Sequence, residues 1–400
     1  MGLLGGIGRL RIGTDFDAKS GDCSLADCSP LNRFGSLEIS AAPWQTQDGC
    51  GECRWQRDIT PLDELKNGAP RHDGEGHRME YDLVYHYTTL SGLKGILGTQ
   101  TLHATHFAFL NDSKEIYQIR PRLVETALPI MTKLYEDVAA SSEQKRQQMA
   151  EEGGVAALAD HDSSAVVDAM YRITLGLDGG TRFFQPFVVS FCGHKEMDHP
   201  YERQHGLLSM WRAYGKDVGY AIVFDTKALT AMLKDEFGSY RYDAWGIASA
   251  IYDTSQDVFK EEFIELIDAM NKYVPQLFSN KKVMLPELLR AFMRDVSRFK
   301  HRGFTEEQEV RIFISPTHDK LFERAKVAGE IDKREDKEIK FRDTLAPYIV
   351  LFDNPKIKLP IKRIIVGPHA DKERRLAKLK SYLDILGLKI DISCSETPLV

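Results

Sequence analysis

Charged and aliphatic side chains alternate between Glu307 and Ile314, and this alternation restricts the fold more than any other feature of the sequence. Successive side chains of a β-strand point to opposite faces, so the pattern predicts a strand with one apolar face and one charged face. The apolar members are Val310, Ile312 and Ile314, and the charged members are Glu307, Glu309 and Arg311. The charged face either lines a cleft or belongs to a solvated edge strand with cross-strand ion pairs.

Other strand-like and helical patterns alternate along the chain. Runs rich in β-branched and aromatic residues predict strands at 83–89, 101–107, 186–192, 219–225, 309–315, 348–352, 361–366 and 388–392. Helical spacing predicts a short helix that is capped by Ser91 and ended by Gly98. Longer helices are predicted at 227–237, 258–273, 285–299 and 372–386. This order indicates an α/β protein of the α+β type.

The chain divides into an amino-terminal arm and one larger unit. Residues 1–78 are rich in Gly, Asp, Ser and Pro and show no sustained period, so an irregular arm is predicted. Residues 79–400 are expected to form a single α/β domain with large helical insertions at about 112–175 and 256–300. Because Met79 directly precedes the first strongly patterned segment, the arm is alternatively an extension that does not belong to the native protein.

Composition and charge exclude several classes of protein. Hydrophobic residues make up 42% of the 400 residues and charged residues 28%, so most of the chain is expected to fold. The net charge of −6 provides no global basic footprint, and nucleic-acid binding would need a local patch. The first apolar residues are interrupted by glycines and are too few for a signal peptide or a membrane span, so we expect a cytoplasmic protein without membrane association.

Four of the six cysteines lie close together in the amino-terminal arm. They are Cys23, Cys28, Cys50 and Cys53. Four thiolates could hold zinc, but the first pair has loose spacing and no ribbon-like strands lie between the pairs. The sequence therefore leaves zinc binding by the arm open.

His86 lies in the first predicted strand, where alternation sends its side chain to one face together with that of Thr88. Tyr85 and Tyr87 then point to the other face. A histidine in a strand is either a hydrogen-bonded structural residue or, in a functional site, a donor to a ribose hydroxyl or a phosphate.

The segment from Ser209 to Gly215 combines a permanent cation with aromatic rings that can stack on a ligand. Arg212 suits a diphosphate because its guanidinium group donates forked hydrogen bonds. Alternatively, Trp211 packs into the core and Arg212 pairs with a structural carboxylate. The chain contains neither a Walker loop nor a Gly-x-Gly-x-x-Gly dinucleotide fingerprint.

Five short motifs follow one another in a fixed order. They are Tyr85-His86-Tyr87-Thr88, Leu110-Asn111-Asp112, Ser209-x-Trp211-Arg212-x-Tyr214-Gly215, Gly303-Phe304-x-Glu306-Glu307-x-Glu309 and Ile365-Val366-Gly367-Pro368. Together they resemble a bacterial family, the domain-of-unknown-function family twenty-nine seventy-one, over roughly Asp82 to Leu386. That family carries no firmly assigned activity.

More distantly, the opening His-Tyr strand, the helix after it and the late glutamate-bearing strand are similar to the split-sheet fold of ADP-ribosyltransferases. In that fold a first-strand histidine or arginine grips NAD, a middle aromatic packs on nicotinamide, and a late glutamate orients the ribose for cleavage. The resemblance implies that Glu309 and Glu307 are catalytic and that NAD is bound by His86, Tyr87, Trp211, Arg212 and Tyr214. One departure is the strand after Pro186, which lacks the Ser-Thr-Ser stretch that many such transferases have.

This second resemblance implies an NAD-binding ADP-ribosyltransferase or NAD glycohydrolase, of a bacterial defence or stress system, that passes ADP-ribose to an unidentified macromolecule or to water. Two alternatives stay open. A metal-dependent nuclease would use Asp112, Glu307 and Glu309 with a divalent ion. A noncatalytic sensor or interaction module would bind a nucleotide without turning it over.

Overall fold

The structure is a computed structural model that describes residues 81–110, 115–175, 186–195, 199–214, 219–253, 255–278, 286–316 and 334–398. The amino-terminal arm, its four cysteines, Asn111 and Asp112 lie outside the described residues. Within the described part, the predicted mixed α/β class is confirmed by an open sheet of 10 strands packed against helices. None of the described helices is long and apolar enough to cross a membrane.

The sheet contains ten described strands. They are β1 (Leu83–Thr88), β2 (Leu102–His106), β3 (Phe187–Gly193), β4 (Tyr220–Asp225), β5 (Tyr242–Ser249), β6 (Glu309–Pro316), β7 (Lys340–Phe341), β8 (Pro347–Leu351), β9 (Ile361–Val366) and β10 (Asp391–Cys394). Eight of the ten strands overlap the segments predicted from the sequence, whereas β5 and β7 were not predicted. Their hydrogen-bonded order is β10-β9-β4-β1-β3-β2-β8-β7, and β6 pairs with both β3 and β5. Among these strands the pairings are antiparallel except that of β9 with β10, which is parallel.

Helices occupy the connections between the strands. They are α1 (Leu90–Thr99), α2 (Arg120–Ser141), α3 (Glu143–Glu151), α4 (Gly154–Leu175), α5 (Pro200–His205), α6 (Leu208–Tyr214), α7 (Thr226–Ser239), α8 (Gln256–Glu262), α9 (Ile264–Phe278), α10 (Pro286–Val296) and α11 (Lys372–Leu386). Short 3-10 turns lie at Phe107–Phe109, Glu115–Ile119 and Arg302–Glu307. Helices α2, α4, α8, α9 and α10 share one apolar core, which forms a helical layer beside the sheet.

Strand β3 is the point at which the sheet divides. One edge of β3 pairs with β6 from Phe187 to Cys192. On the other edge, β2 pairs with only the first two residues of β3, and β1 pairs with only the last two. We call the gap between these two pairings the divide. His86 reaches into it, because its Nδ1 lies 3.0 Å from the carbonyl oxygen of Ser190.

Side-chain alternation gives the sheet two faces with different contents. The first face carries the aliphatic side chains of β6 and packs on helices α1, α7 and α11. The second face carries Glu309 and Arg311, and it packs on α6 near β1 and on the helical layer near Val188. The alternation predicted for β6 is therefore confirmed from Glu309 onward.

Helix α1 begins and ends differently from the prediction. Thr89, not Ser91, is the N-cap, because its side-chain oxygen accepts the backbone N–H three residues further on, at 3.2 Å. The helix continues one residue past Gly98, and the next residue, Gln100, takes the left-handed conformation with φ 57°. The Gln100 backbone N–H still donates to the Ile96 carbonyl at 2.8 Å, so the helix closes without glycine.

We predict that Gly206→Ala lowers the free energy of unfolding by about 3 kcal/mol. Gly206 has φ 79°, and an added Cβ would lie 2.5 Å from the indole ring of Trp211. The matched control is Gly238→Ala near the end of α7, where an added Cβ meets nothing within 4 Å. That change should raise stability by about 0.5 kcal/mol. Urea unfolding followed by circular dichroism measures both, and equal effects of the two changes would contradict the close packing at Gly206.

Candidate functional site

A cluster of four charged side chains lies at the start of β6, on the second face of the sheet. Arg311 forms a bidentate pair with Glu309, with Nε 2.9 Å from Oε1 and Nη2 3.0 Å from Oε2. The Lys300 ammonium group lies 2.7 Å from a carboxylate oxygen of Glu309 and 2.7 Å from one of Glu307. We call these four residues the ion network. Its two positive and two negative charges balance, as buried charges require.

The position of β6 corrects the edge-strand alternative. β6 lies between β3 and β5, and the segment that follows α10 packs over its charged face. Arg311 also donates to the carbonyl oxygens of Ser297 at 2.9 Å and Phe299 at 3.1 Å. Glu309 is only 3% exposed and Arg311 only 4%. The charged face is thus neither solvated nor an open cleft wall at these two residues.

Glu307 reaches the ion network from outside the strand. After the 3-10 turn at Arg302–Glu307, Gln308 takes a left-handed conformation with φ 44°. Its carbonyl oxygen accepts the Gly193 N–H at 2.7 Å, which joins this turn to the end of β3. Strand alternation therefore begins at Glu309 and does not include Glu307. Lys300, rather than a shared strand face, brings the two carboxylates together.

The ion network fixes the charge states of its members. Burial alone would raise the pKa of Glu309, but the positive charges of Arg311 and Lys300 outweigh it and lower that pKa to about 2. Burial alone would lower the pKa of Lys300, but Glu309 and Glu307 raise it instead. Both groups are therefore charged across the physiological range.

Polar side chains from other segments surround the ion network. Cys192 is the register partner of Glu309 on β3, and burial followed by the charge of Glu307 raises the pKa of its thiol. The Glu309 backbone N–H donates to Tyr252 Oη at 2.6 Å. Burial raises the pKa of Tyr214, and the negative charge of Glu307 raises it further. Tyr214 is 41% exposed, so it marks the side on which the ion network approaches solvent.

Arg212 is exposed on α6, two residues before Tyr214. Within the described residues its side chain makes no hydrogen bond or ion pair, so its guanidinium group is not paired with the structural carboxylate that the sequence offered as an alternative. We call Arg212, Tyr214 and the half-buried Glu307 the rim. Tyr214 and Glu307 lie next to the ion network, and Arg212 lies on the same short helix as Tyr214.

The structure separates His86 from Glu309, which corrects the expected convergence. Tyr85 pairs with Cys192, and Cys192 pairs with Glu309, so these three side chains point to the second face. His86 points to the first face, where its ring meets Phe191 edge-on with centroids 5.7 Å apart. Burial lowers the pKa of His86, so the ring is neutral near pH 7. In this structure it bonds to β3, which is the structural role that the sequence left open.

Tyr87 and Trp211 lie on the correct face but are buried, which corrects their predicted access to a ligand. Their rings meet edge-on with centroids 4.8 Å apart, and they are 6% and 4% exposed. The Leu207 backbone N–H donates to Tyr87 Oη at 2.7 Å, and Trp211 Nε1 donates to the His205 carbonyl at 3.0 Å. Both residues therefore hold α6 against β1 and so position the rim.

Three residues of this site were missed by sequence reasoning, namely Cys192, Tyr252 and Lys300. Lys300 follows the α10 helix in an irregular segment, and no local pattern relates it to β6. Its backbone N–H donates to the Ile251 carbonyl at 2.9 Å, a contact between distant segments. Within the described part of the chain, no group of three or more His, Cys, Asp or Glu side chains is placed to hold a metal ion.

Comparison with known families covers this part of the chain. Residues 210–312 match the model of a family described as "Protein of unknown function (DUF2971)". The matched stretch includes the rim, Lys300 and the start of β6, and it supports the resemblance to this family. It is narrower than the span from Asp82 to Leu386 over which the motifs were read. Comparisons with curated proteins and with solved structures found no match.

We predict that Glu309→Gln lowers the free energy of unfolding at pH 7 by about 3 to 5 kcal/mol, because it leaves Lys300 and Arg311 under-compensated in a buried site. The folded pKa of Glu309 lies below its ordinary value of 4.5, so its stabilisation is complete above pH 4.5 and is lost as the pH falls towards 2. The free energy of unfolding of the Glu309→Gln variant should therefore depend less on pH below pH 4.5 than that of the unsubstituted protein. Urea unfolding at a series of pH values between about 3 and 7 measures this.

Two further variants control that prediction. Glu306 is exposed, so Glu306→Gln should change stability by less than about 0.5 kcal/mol. Adding Lys300→Met to Glu309→Gln should recover part of the loss, because the double change removes one charge of each sign. An additive double variant would contradict direct coupling between Lys300 and Glu309.

Proposed function

We propose that the protein binds NAD at the rim and cleaves its glycosidic bond, passing ADP-ribose to a macromolecule or to water. The observation that carries the proposal is that Arg212 is exposed on the same short helix as Tyr214, while the exposed Tyr214 and the carboxylate of Glu307 lie beside one buried ion network. These groups match a diphosphate, an aromatic base and a ribosyl cation, respectively.

The proposed roles differ from those that the resemblance implies. Glu309 has both carboxylate oxygens occupied by cations and is buried, so it serves to hold Lys300 in place. Glu307 shares that lysine and has a side chain that is 16% exposed, which makes it the carboxylate that can face a substrate. We therefore propose that Glu307 stabilises the developing ribosyl cation. Glu309 and Lys300 hold Glu307 in position for this role.

The sheet topology also supports the proposal. β1 and β2 separate along β3, and this is consistent with the split sheet of the ADP-ribosyltransferase-like architecture. His86 occupies the divide and bonds to Ser190, so its proposed contribution is to hold β1 against β3 and not to contact the same part of NAD as Glu307. Fold-level similarity alone does not establish chemistry, and the rim residues carry the argument.

We predict that purified protein releases nicotinamide from NAD, and that Glu307→Gln lowers the rate about 100-fold, the typical effect of removing one preorganised group at a developing charge. Arg212→Gln should raise KM for NAD about 10-fold with a smaller change in kcat, since it removes contacts to the diphosphate. Nicotinamide is measured by chromatography, with and without cell lysate as a source of acceptor. Glu306→Gln, one residue from Glu307 and exposed, is the matched control and should retain the full rate.

Two results would contradict this function. One is no nicotinamide release under either condition, and the other is a full rate in the Glu307→Gln variant. If the wild type releases nicotinamide and only the Glu306→Gln variant loses this activity, the catalytic carboxylate would be Glu306 and not Glu307.

A noncatalytic nucleotide-binding module is the second candidate, and it is favoured because the charge of Glu309 is already compensated by Arg311 and Lys300. A ligand that binds only the folded protein raises the unfolding temperature without any turnover. Stabilisation by NAD, lost in Arg212→Gln and without nicotinamide release, would identify this case. The nuclease alternative is less supported, because the Lys300 ammonium group already bridges Glu307 and Glu309, the carboxylates that a divalent ion would need.

A further inference from the structure

A second cluster of cationic and aromatic side chains lies near the β7 edge of the sheet. The imidazole of His103 stacks on the ring of Tyr348, with centroids 4.5 Å apart and planes 29° apart. The guanidinium carbon of Arg342 lies 5.5 Å from the Tyr348 ring centroid, and Arg342 Nη2 donates to Thr105 Oγ1 at 3.1 Å. Lys340 is the register partner of Tyr348. We call these five residues, His103, Thr105, Lys340, Arg342 and Tyr348, the edge patch.

The hairpin between β7 and β8 holds Arg342 in place. The Arg342 N–H donates to the Ala346 carbonyl at 3.1 Å, and the Leu345 N–H donates to the Arg342 carbonyl at 2.8 Å. Leu345 takes a left-handed conformation with φ 62°, which closes the turn. A fixed backbone, together with the bond to Thr105, limits the entropy that Arg342 would lose on binding a ligand.

The positive charge of the edge patch is not neutralised within it. Arg342 makes no ion pair with any described residue, and its side-chain partners there are the Thr105 hydroxyl and the Tyr348 ring. Glu338 lies 3.6 Å from Lys340 at an exposed position. Partial burial of its ring lowers the pKa of His103, and the positive charges of Arg342 and Lys340 lower it further. His103, Lys340 and Arg342 are all exposed, so they are accessible to a ligand from solvent.

The edge patch is on the second face of the sheet, next to the divide. Thr105 pairs with Val188 on β3, and Val188 is four residues from Cys192, which is about 13 Å along a strand. Ser190, between them, is exposed although β3 is a central strand. The exposed Ser190 therefore lies between the edge patch and the ion network, so the edge patch is a distinct candidate site.

We propose that the edge patch binds a nucleoside 5′-phosphate, with the phosphate on Arg342 and His103 and the base against the His103–Tyr348 stack. Arg and His donate charge-assisted hydrogen bonds to phosphate oxygens, and the bond of Arg342 to Thr105 orients the guanidinium group. A flat base extends an existing stack of two rings without displacing either. This inference does not depend on the proposed cleavage of NAD.

ADP is the probe that tests this binding site in the full chain. We expect calorimetric titration to show one site whose affinity falls about 10-fold in Arg342→Gln and about 10-fold in Tyr348→Leu, while Tyr348→Phe keeps most of it because the ring remains. Arg374→Gln, on exposed α11, is the matched control and should leave the affinity unchanged. In histidine-selective NMR, bound ADP should raise the pKa of His103, since a phosphate favours the imidazolium form.

Several outcomes would overturn the proposal. The first is unchanged ADP affinity in both Arg342→Gln and Tyr348→Leu. The second is ADP affinity lost in Arg212→Gln alone, which would place the nucleotide at the rim and support the proposed function instead. The third is much tighter binding of a single-stranded RNA oligonucleotide with a steep salt dependence, which would make the patch part of a nucleic-acid surface. Failure of nicotinamide release has no bearing on this test.

Discussion

The paired charges around Lys300 are the interaction on which the rest of the candidate site depends. A lone ammonium or carboxylate at this depth would cost several kcal/mol, so the segment after α10, the 3-10 turn and β6 must all be in place together. Both members of the Glu309–Arg311 pair have a further partner. Lys300 contacts Glu309, and Arg311 donates to the Ser297 and Phe299 carbonyl oxygens. The network thus ties an irregular segment to the centre of the sheet and fixes where Glu307 lies.

The division of the sheet along β3 explains why the expected convergence of His86 and Glu309 failed. The strands that carry His86 and Glu309 were predicted correctly, but a step of one residue moves a side chain to the opposite face of a sheet. Register decides the outcome, and Tyr85, not His86, shares a face with Glu309 through Cys192. His86 then occupies a gap between strands, where its ring supplies a partner to the Ser190 carbonyl that no strand provides.

Local patterns predicted the elements of this fold better than its contacts. The alternation of residue types in β6 indicates a strand with two different faces, and the continuous apolar run of β3 indicates a strand that is buried on both faces. Both patterns can be read directly from the sequence. The left-handed Gln308 was not foreseen, because a non-glycine residue at φ 44° is selected by its surroundings and not by its own preference. Lys300 was missed for a similar reason, since its partners lie seven and nine positions away across a turn whose path depends on that conformation.

The three glutamates Glu306, Glu307 and Glu309 differ in burial and therefore in what each can do at the site. Glu306 is exposed, so solvent screens its charge and it exerts little directed force on a ligand. The carboxylate oxygens of Glu309 already contact Arg311 and Lys300, so Glu309 is not available to a third cation. Glu307 shares Lys300 with Glu309, and positive charge that develops near the rim would compete with that lysine for the Glu307 carboxylate. Negative charge there would instead draw Lys300 away. In the proposed function, an anionic group of the ligand would meet Arg212 and a cationic centre would meet Glu307, a separation of charge that NAD carries between its diphosphate and its nicotinamide ribose.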